Sequence, residues 1–169
     1  MKKQLYRIVT GILAVAWMCL IFSFSNQPAT ESSKVSGGLC HRLVERANDT
    51  LHLDMTEKQQ LTMAEKIEYP VRKAAHMTEY CLLAIAISFP LYVYGVRGIW
   101  LILLAGVICV GFAGLDEYHQ SFVASRGPSV RDVGIDSIGV LIGILLVQAF
   151  CWSTLHNPSG KGRRKKRRR

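Results

Sequence analysis

Most of the residue patterns that announce a catalytic or redox site are missing from this chain. It has five cysteines, and Cys19, Cys81, Cys109 and Cys151 all lie in apolar runs, where a thiol packs as a small apolar group. Only Cys40 stands outside, so no disulfide can form beyond those runs within one chain, and no CxxC or zinc spacing occurs. No GxSxG or HExxH signature appears, and no serine or cysteine nucleophile stands beside His76 or His119. Internal repeats are also missing. Excess charge is scarce in the body of the chain: residues 26–73 hold seven basic and seven acidic side chains. The net charge of +9 therefore belongs to the termini, with eight positive charges in 161–169 and three more at Lys2, Lys3 and Arg7. That distribution argues against a nucleic-acid-binding surface. The basic tail, 153–169, reads instead as a topology anchor beside anionic lipid, with its consecutive basic residues disordered.

What the 169-residue chain has in quantity is apolar length, since half of its residues are hydrophobic. Runs at about 6–24, 74–94, 99–115 and 133–152 approach the ~20 residues needed to cross a bilayer. A soluble core built from four such runs would lack the polar surface to cover it. The expected fold is all-α, a single polytopic membrane domain over 1–152 with four transmembrane helices. The first run resembles a signal peptide in its basic start, but its apolar stretch is longer and no clean cleavage site follows, so a retained helix is favoured. Basic residues at both ends place both termini in the cytoplasm, in keeping with an even number of spans. Residues 26–73 and 116–132 then face outward, and Gly95–Gly98 forms a tight cytoplasmic turn.

The first outer segment opens with a polar stretch around Pro28 and Gly37–Gly38 that reads as flexible. Leu39, Leu43, Val44, Ala47 and Leu51 then recur at helical spacing, and Leu61, Ala64 and Ile67 repeat the pattern. Over 39–68 this gives two short amphipathic helices, either on the membrane surface or capping the bundle. Pro70 suits the first turn of the second span.

Polar residues collect at the outer ends of spans two, three and four. Residues 114–136 alone carry four carboxylates, a histidine and two arginines. On span two, Arg72, His76, Glu79 and Leu83 share a narrow arc, with Tyr80 at its edge and Lys73 adjoining. On span three, Asp116, His119 and Gln120 share a face while Glu117 points aside. On span four, Asp132, Asp136, Gly139 and Gly143 align, the glycines permitting close helix approach. A carboxylate near the middle of a span costs about 2.5–3.5 kcal/mol, so these groups require partners or a wet cavity. One polar pocket open to the outside satisfies all three helices. The bland alternative is a set of register-fixing ion pairs such as Arg72–Asp116 or Arg131–Glu79, with Ser129 and Asp132 forming a capping box.

The chemistry stays open at this level. His76, Glu79, Asp116 and Glu117 are the candidates for acid–base or metal-assisted catalysis, with a divalent metal as the candidate cofactor. Arg72, Lys73, Gln120, Arg126, Asp132 and Asp136 are the candidate ligand-binding set, and the arginines suit a phosphate or carboxylate. Gly127–Pro128 makes a turn that aims Arg126 over the pocket. A proton-coupled transporter using His76 and Glu79 is the weakest option, because no span shows a broken-helix signature.

The stretches "FSFSNQPATESSKVS", "RKAAHMTEYCLLA" and "LDEYHQSFVASRGPSVRDVGIDSIGVLIG" resemble the VanZ-like family, and the resemblance covers most of residues 8–150. It implicates Ser25, Arg72, Lys73, His76, Glu79, Asp116, Glu117, Gln120, Arg126, Asp132 and Gly139. Asp136 departs from it, falling where relatives often carry asparagine. The resemblance implies an integral protein of the bacterial cell envelope, linked through the family's founding member to tolerance of teicoplanin-type glycopeptides. The expected partner is a membrane lipid or a lipid-linked cell-wall precursor. The rival expectation is an intramembrane hydrolase or transferase acting on a lipid-linked substrate.

Overall fold

The computed structural model describes residues 2–127 and 129–155, so Pro128 and the basic run 161–169 lie outside the described residues. Five helices follow one another: α1 (Lys2–Ser25), α2 (Ala29–Leu51), α3 (Glu57–Val93), α4 (Ile99–Gln120) and α5 (Val130–Leu155). Four of them, α1, α3, α4 and α5, are long and apolar enough to cross a membrane. The chain is an all-α, multi-pass membrane protein. Its lipid-facing exterior is apolar, with Val107 and Trp152 among many large side chains left exposed.

Two boundaries differ from the sequence expectation. The segment around Gly37–Gly38 is helical, because α2 begins just after Pro28 rather than near residue 39. Its serines hold it to α3: Ser36 Oγ donates to Glu68 Oε1 at 2.8 Å, and Ser33 Oγ accepts from Arg72 Nη1 at 3.0 Å. The second amphipathic patch and the second span are also not separate helices. They form one 37-residue helix, α3, which carries Pro70 in its interior. Proline removes a donor and crowds the preceding turn. The apolar stripe Ala64–Ile67–Val71 nevertheless runs past it without a break, packed with Cys40 and Val44 of α2. Packing on both sides of the proline thus carries the helix through. A full capping box at Thr56 and Gln59 fixes where α3 starts.

At about 55 Å, α3 exceeds the thickness of a bilayer. Its first half pairs with α2 as a helical hairpin beyond the bundle, and its second half is the axis of the bundle, touching α1, α4 and α5. The most extensive contact is with α5. Gly139 and Gly143 lie against the Met77 and Cys81 carbonyls of α3, so close that a methyl at Gly139 would stand 2.1 Å from the Met77 oxygen. The core then continues through Leu83, Ala84, Val140 and Ile144. Cys109 and Cys151 are buried in this core as free thiols. At the far end, Gly95 and Gly98 take positive φ to close the α3–α4 turn.

The polar end of the bundle gathers the C-terminus of α1, the C-terminus of α4, the N-terminus of α5 and the middle of α3. From Val93 back to His76, α3 covers about 26 Å, and from Leu155 back to Asp136, α5 covers about 28 Å. An apolar layer about 30 Å thick, entered at those far ends, reaches its other boundary near His76 and Asp136.

Candidate functional site

The α3 wall of the site is built from Arg72, Lys73 and His76, which successive turns present on one side. Arg72 is shared between Ser33 of α2 and Glu68, whose Oε1 lies 3.8 Å away. Lys73 Nζ pairs with Asp132 Oδ2 of α5 and lies 5.5 Å from the centre of the Tyr69 ring. His76 Nδ1 stands 3.3 Å from Glu79 Oε2, one turn deeper. The register pairs Arg72–Asp116 and Arg131–Glu79 are not formed among the described residues. Among the described residues, the ion pair between spans is Lys73–Asp132.

The opposite wall is shaped by the return of the chain from α4 to α5. Glu117, which periodicity set aside, is buried and lines the site. Its Oε1 accepts from the Ser129 backbone N–H at 2.6 Å. Ser129 Oγ in turn accepts from the Asp132 N–H at 3.3 Å. Only half of the expected capping box therefore forms. Glu117 takes the donor that Asp132 would have received, and Asp132 is left to pair with Lys73. Ahead of this turn, Ser125 holds φ +62°, a left-handed conformation that costs a non-glycine residue about 1–2 kcal/mol. The bend sets Arg126 over the cavity, where burial and then the facing charge of Arg72 press the Arg126 pKa downward.

Arg126 is oriented by a relay of hydrogen bonds. Its Nη1 donates to Gln120 Oε1 at 3.0 Å, and Gln120 Nε2 donates to Asp116 Oδ2 at 3.1 Å. The same Asp116 oxygen accepts from Ser25 Oγ of α1 at 2.7 Å. Asp116 is thus buried behind the site, in contact with α1, and acts on Arg126 through Gln120. His119 is placed apart from the site, its ring 4.1 Å from that of Phe22 on α1.

Together these residues enclose a cavity of about 160 Å³, lined by Arg72, Lys73, His76, Glu117, Gln120 and Arg126 with Asp132 and Asp136 at the α5 side. Of the catalytic candidates, His76 and Glu117 line it, Glu79 backs His76, and Asp116 is one layer removed. Every member of the ligand-binding set lines it. Among the described residues, no group of three His, Cys, Asp or Glu side chains is placed to hold a metal ion. Sequence reasoning missed Ala29, Ser33 and Ser125. Of these, only Ser33 had a usable signal, since Ser33, Ser36, Cys40 and Val44 form one helical face. The volume matters because sites for drug-sized molecules occupy about 300–1,000 Å³. At about 160 Å³ this cavity is smaller than that range.

Pairing inside the cavity leaves a remainder. Lys73 neutralises Asp132, and His76 sits against Glu79. Among the described residues, no carboxylate lies within ion-pair distance of Arg126. Arg126 shares the cavity lining with Arg72, which Glu68 and Ser33 also engage, and two guanidiniums on one cavity favour an anion between them.

The family model described as VanZ/LLP1 matches residues 10–151, which span all five helices and the whole cavity. Neither a curated protein nor a solved structure matches the chain.

Proposed function

The chain belongs to the VanZ/LLP1 family, and from that premise we propose that its cavity binds the phosphate of a lipid headgroup or of a lipid-linked cell-wall precursor. The observation that carries this reading is the pair of guanidiniums, Arg72 and Arg126, turned toward one small cavity at the boundary of the apolar layer. Arg126 keeps its orientation through Gln120, Asp116 and Ser25, so the fold holds a charge in place before any ligand arrives. Such preorganisation reduces the entropy lost on binding.

The cavity faces the outside of the cell in this reading. The N-terminal end of α1 and the C-terminal end of α5 lie at the opposite end of the bundle, near Tyr94 and Gly98. The sequence is basic toward both termini, and an excess of Lys and Arg marks the cytoplasmic side. Retention of a cell-envelope lipid at the outer face would change how glycopeptides reach the surface, which connects the cavity to teicoplanin tolerance without the antibiotic entering it. The second reading, an intramembrane hydrolase or transferase, draws on His76 and Glu117, which stand beside the same anion position and can divide acid and base roles.

Binding of phosphatidylglycerol to the purified full-length chain in mixed micelles tests the first reading. Arg126→Ala is expected to weaken binding at least about tenfold, because a charge-assisted hydrogen bond contributes about 1.5–3 kcal/mol. Arg126→Lys is expected to recover only part of that loss, since an ammonium cannot reproduce the planar fork. Unchanged affinity in Arg126→Ala contradicts the proposal. Headgroup release by the wild-type protein moves the assignment to the enzyme.

A further inference from the structure

We propose that the cavity is built for a phosphate ester that also carries a primary ammonium, the chemistry of an ethanolamine-type headgroup. This rests on the phosphate-binding reading and adds to it the identity of the second charge.

An anion alone would leave the carboxylates of the cavity unused. Three acidic side chains line the cavity alongside the cations. Asp132 is paired with Lys73, and Glu117 accepts only the Ser129 backbone N–H. Asp136 is 8 % exposed, and its place in the lining turns that remaining exposure toward the cavity. Among the described residues it has no hydrogen bond and no ion pair. Burying an unpartnered carboxylate is costly, and such groups are normally paired. Gly139, one turn along α5, presses that helix against Met77 of α3.

The Arg126 guanidinium and the Glu117 and Asp136 carboxylates therefore remain without an ion-pair partner in one space of about 160 Å³, beside Arg72, whose Nη1 is held by Ser33 and lies 3.8 Å from Glu68. A purely anionic headgroup satisfies Arg72 and Arg126 but sets its charge against Glu117 and Asp136. A headgroup with phosphate at one end and an ammonium two carbons away satisfies both sets. The ammonium must carry N–H donors, because a carboxylate inside a desolvated cavity gains most from a charge-assisted hydrogen bond. A quaternary ammonium offers none.

The test uses the full-length chain in detergent, incubated with equal amounts of phosphatidylethanolamine, phosphatidylglycerol and phosphatidylcholine of matched acyl chains. The protein is then repurified and the retained lipid quantified by mass spectrometry. Phosphatidylethanolamine is expected to exceed each of the others by about tenfold, the ratio that about 1.4 kcal/mol of selectivity gives. Asp136→Asn is expected to bring the ethanolamine-to-glycerol ratio close to one, with folding of the variant checked by its thermal transition. Soluble phosphoethanolamine added in competition identifies the source. Displacement at concentrations comparable to the lipid points to a soluble ester, and displacement only in large excess points to a lipid, with either outcome supporting the chemistry. Equal or greater retention of phosphatidylglycerol by the wild type overturns the inference, as does a preference that survives in Asp136→Asn. If Arg126→Ala leaves retention of all three lipids unchanged, the phosphate reading itself fails. Loss of all three in Arg126→Ala without an ethanolamine preference in the wild type sinks only the ammonium assignment.

Discussion

Gly139→Ala is expected to destabilise the protein by about 2–3 kcal/mol, the upper part of the range for overpacking. The added methyl would stand 2.1 Å from the Met77 carbonyl oxygen, and backbone cannot step aside as a flexible side chain can. Helices α3 and α5 must separate, and with them the walls that carry His76 and Asp136. The loss should be visible as a lower thermal transition and as weaker lipid retention in the same sample. Gly134→Ala is the matched control. It lies on the same helix with open space around it, and alanine is the better helix former, so stability should hold or rise by up to about 1 kcal/mol. Equal stability of Gly139→Ala and wild type would show that the two helices do not meet at this register.

Lys73→Ala should cost about 2 kcal/mol. Breaking a fully buried pair costs about 3–5 kcal/mol because the surviving charge is left uncompensated. Here the side chains of Lys73 and Asp132 retain 19 % and 25 % exposure, so water recovers part of that penalty. The variant also turns Asp132 into a third unmatched carboxylate around the cavity, and phosphate binding should weaken with stability. Lys73→Met combined with Asp132→Leu is expected to restore most of the stability, since both charges leave together. A double-mutant cycle should give a coupling of at least about 1 kcal/mol. Strict additivity would mean that α3 and α5 are not joined by this pair.

How much of this could be read from residues alone differs from wall to wall. Arg72, Lys73 and His76 share a side of α3, and Asp136, Gly139 and Gly143 share a side of α5, because helical period fixes which side chains neighbour each other. Glu117 escaped that logic. Its role depends on the loop after α4 folding back to offer the Ser129 N–H, a long-range event with no local signature. Asp116 was visible as a polar residue on the right helix, but its partner Ser25 lies 91 residues away. The extent of α3 was hidden for another reason. Pro70 is as compatible with a helix start as with a helix interior, and only packing of Ala64, Ile67 and Val71 against α2 decides between them. Gly37–Gly38 misled in the same way, as local flexibility gave way to the Ser33 and Ser36 contacts with α3.

The cavity has two tiers. Arg72, Lys73, His76, Glu117 and Arg126 meet the enclosed space, and Ser25, Asp116, Gln120 and Glu79 fix how some of them stand, with Gln120 belonging to both tiers. Substitutions in the second tier act at a distance, so loss of binding in Asp116→Asn would identify a positioning residue rather than a contact.

An experimental structure of the full-length chain in a lipid nanodisc containing phosphatidylethanolamine tests the account most directly. Tetrahedral density is expected within hydrogen-bonding distance of the Arg72 and Arg126 guanidiniums, continuous with a group that reaches Asp136. Arg126 folded onto a protein carboxylate, with the cavity closed and no ligand density despite excess lipid, would contradict it.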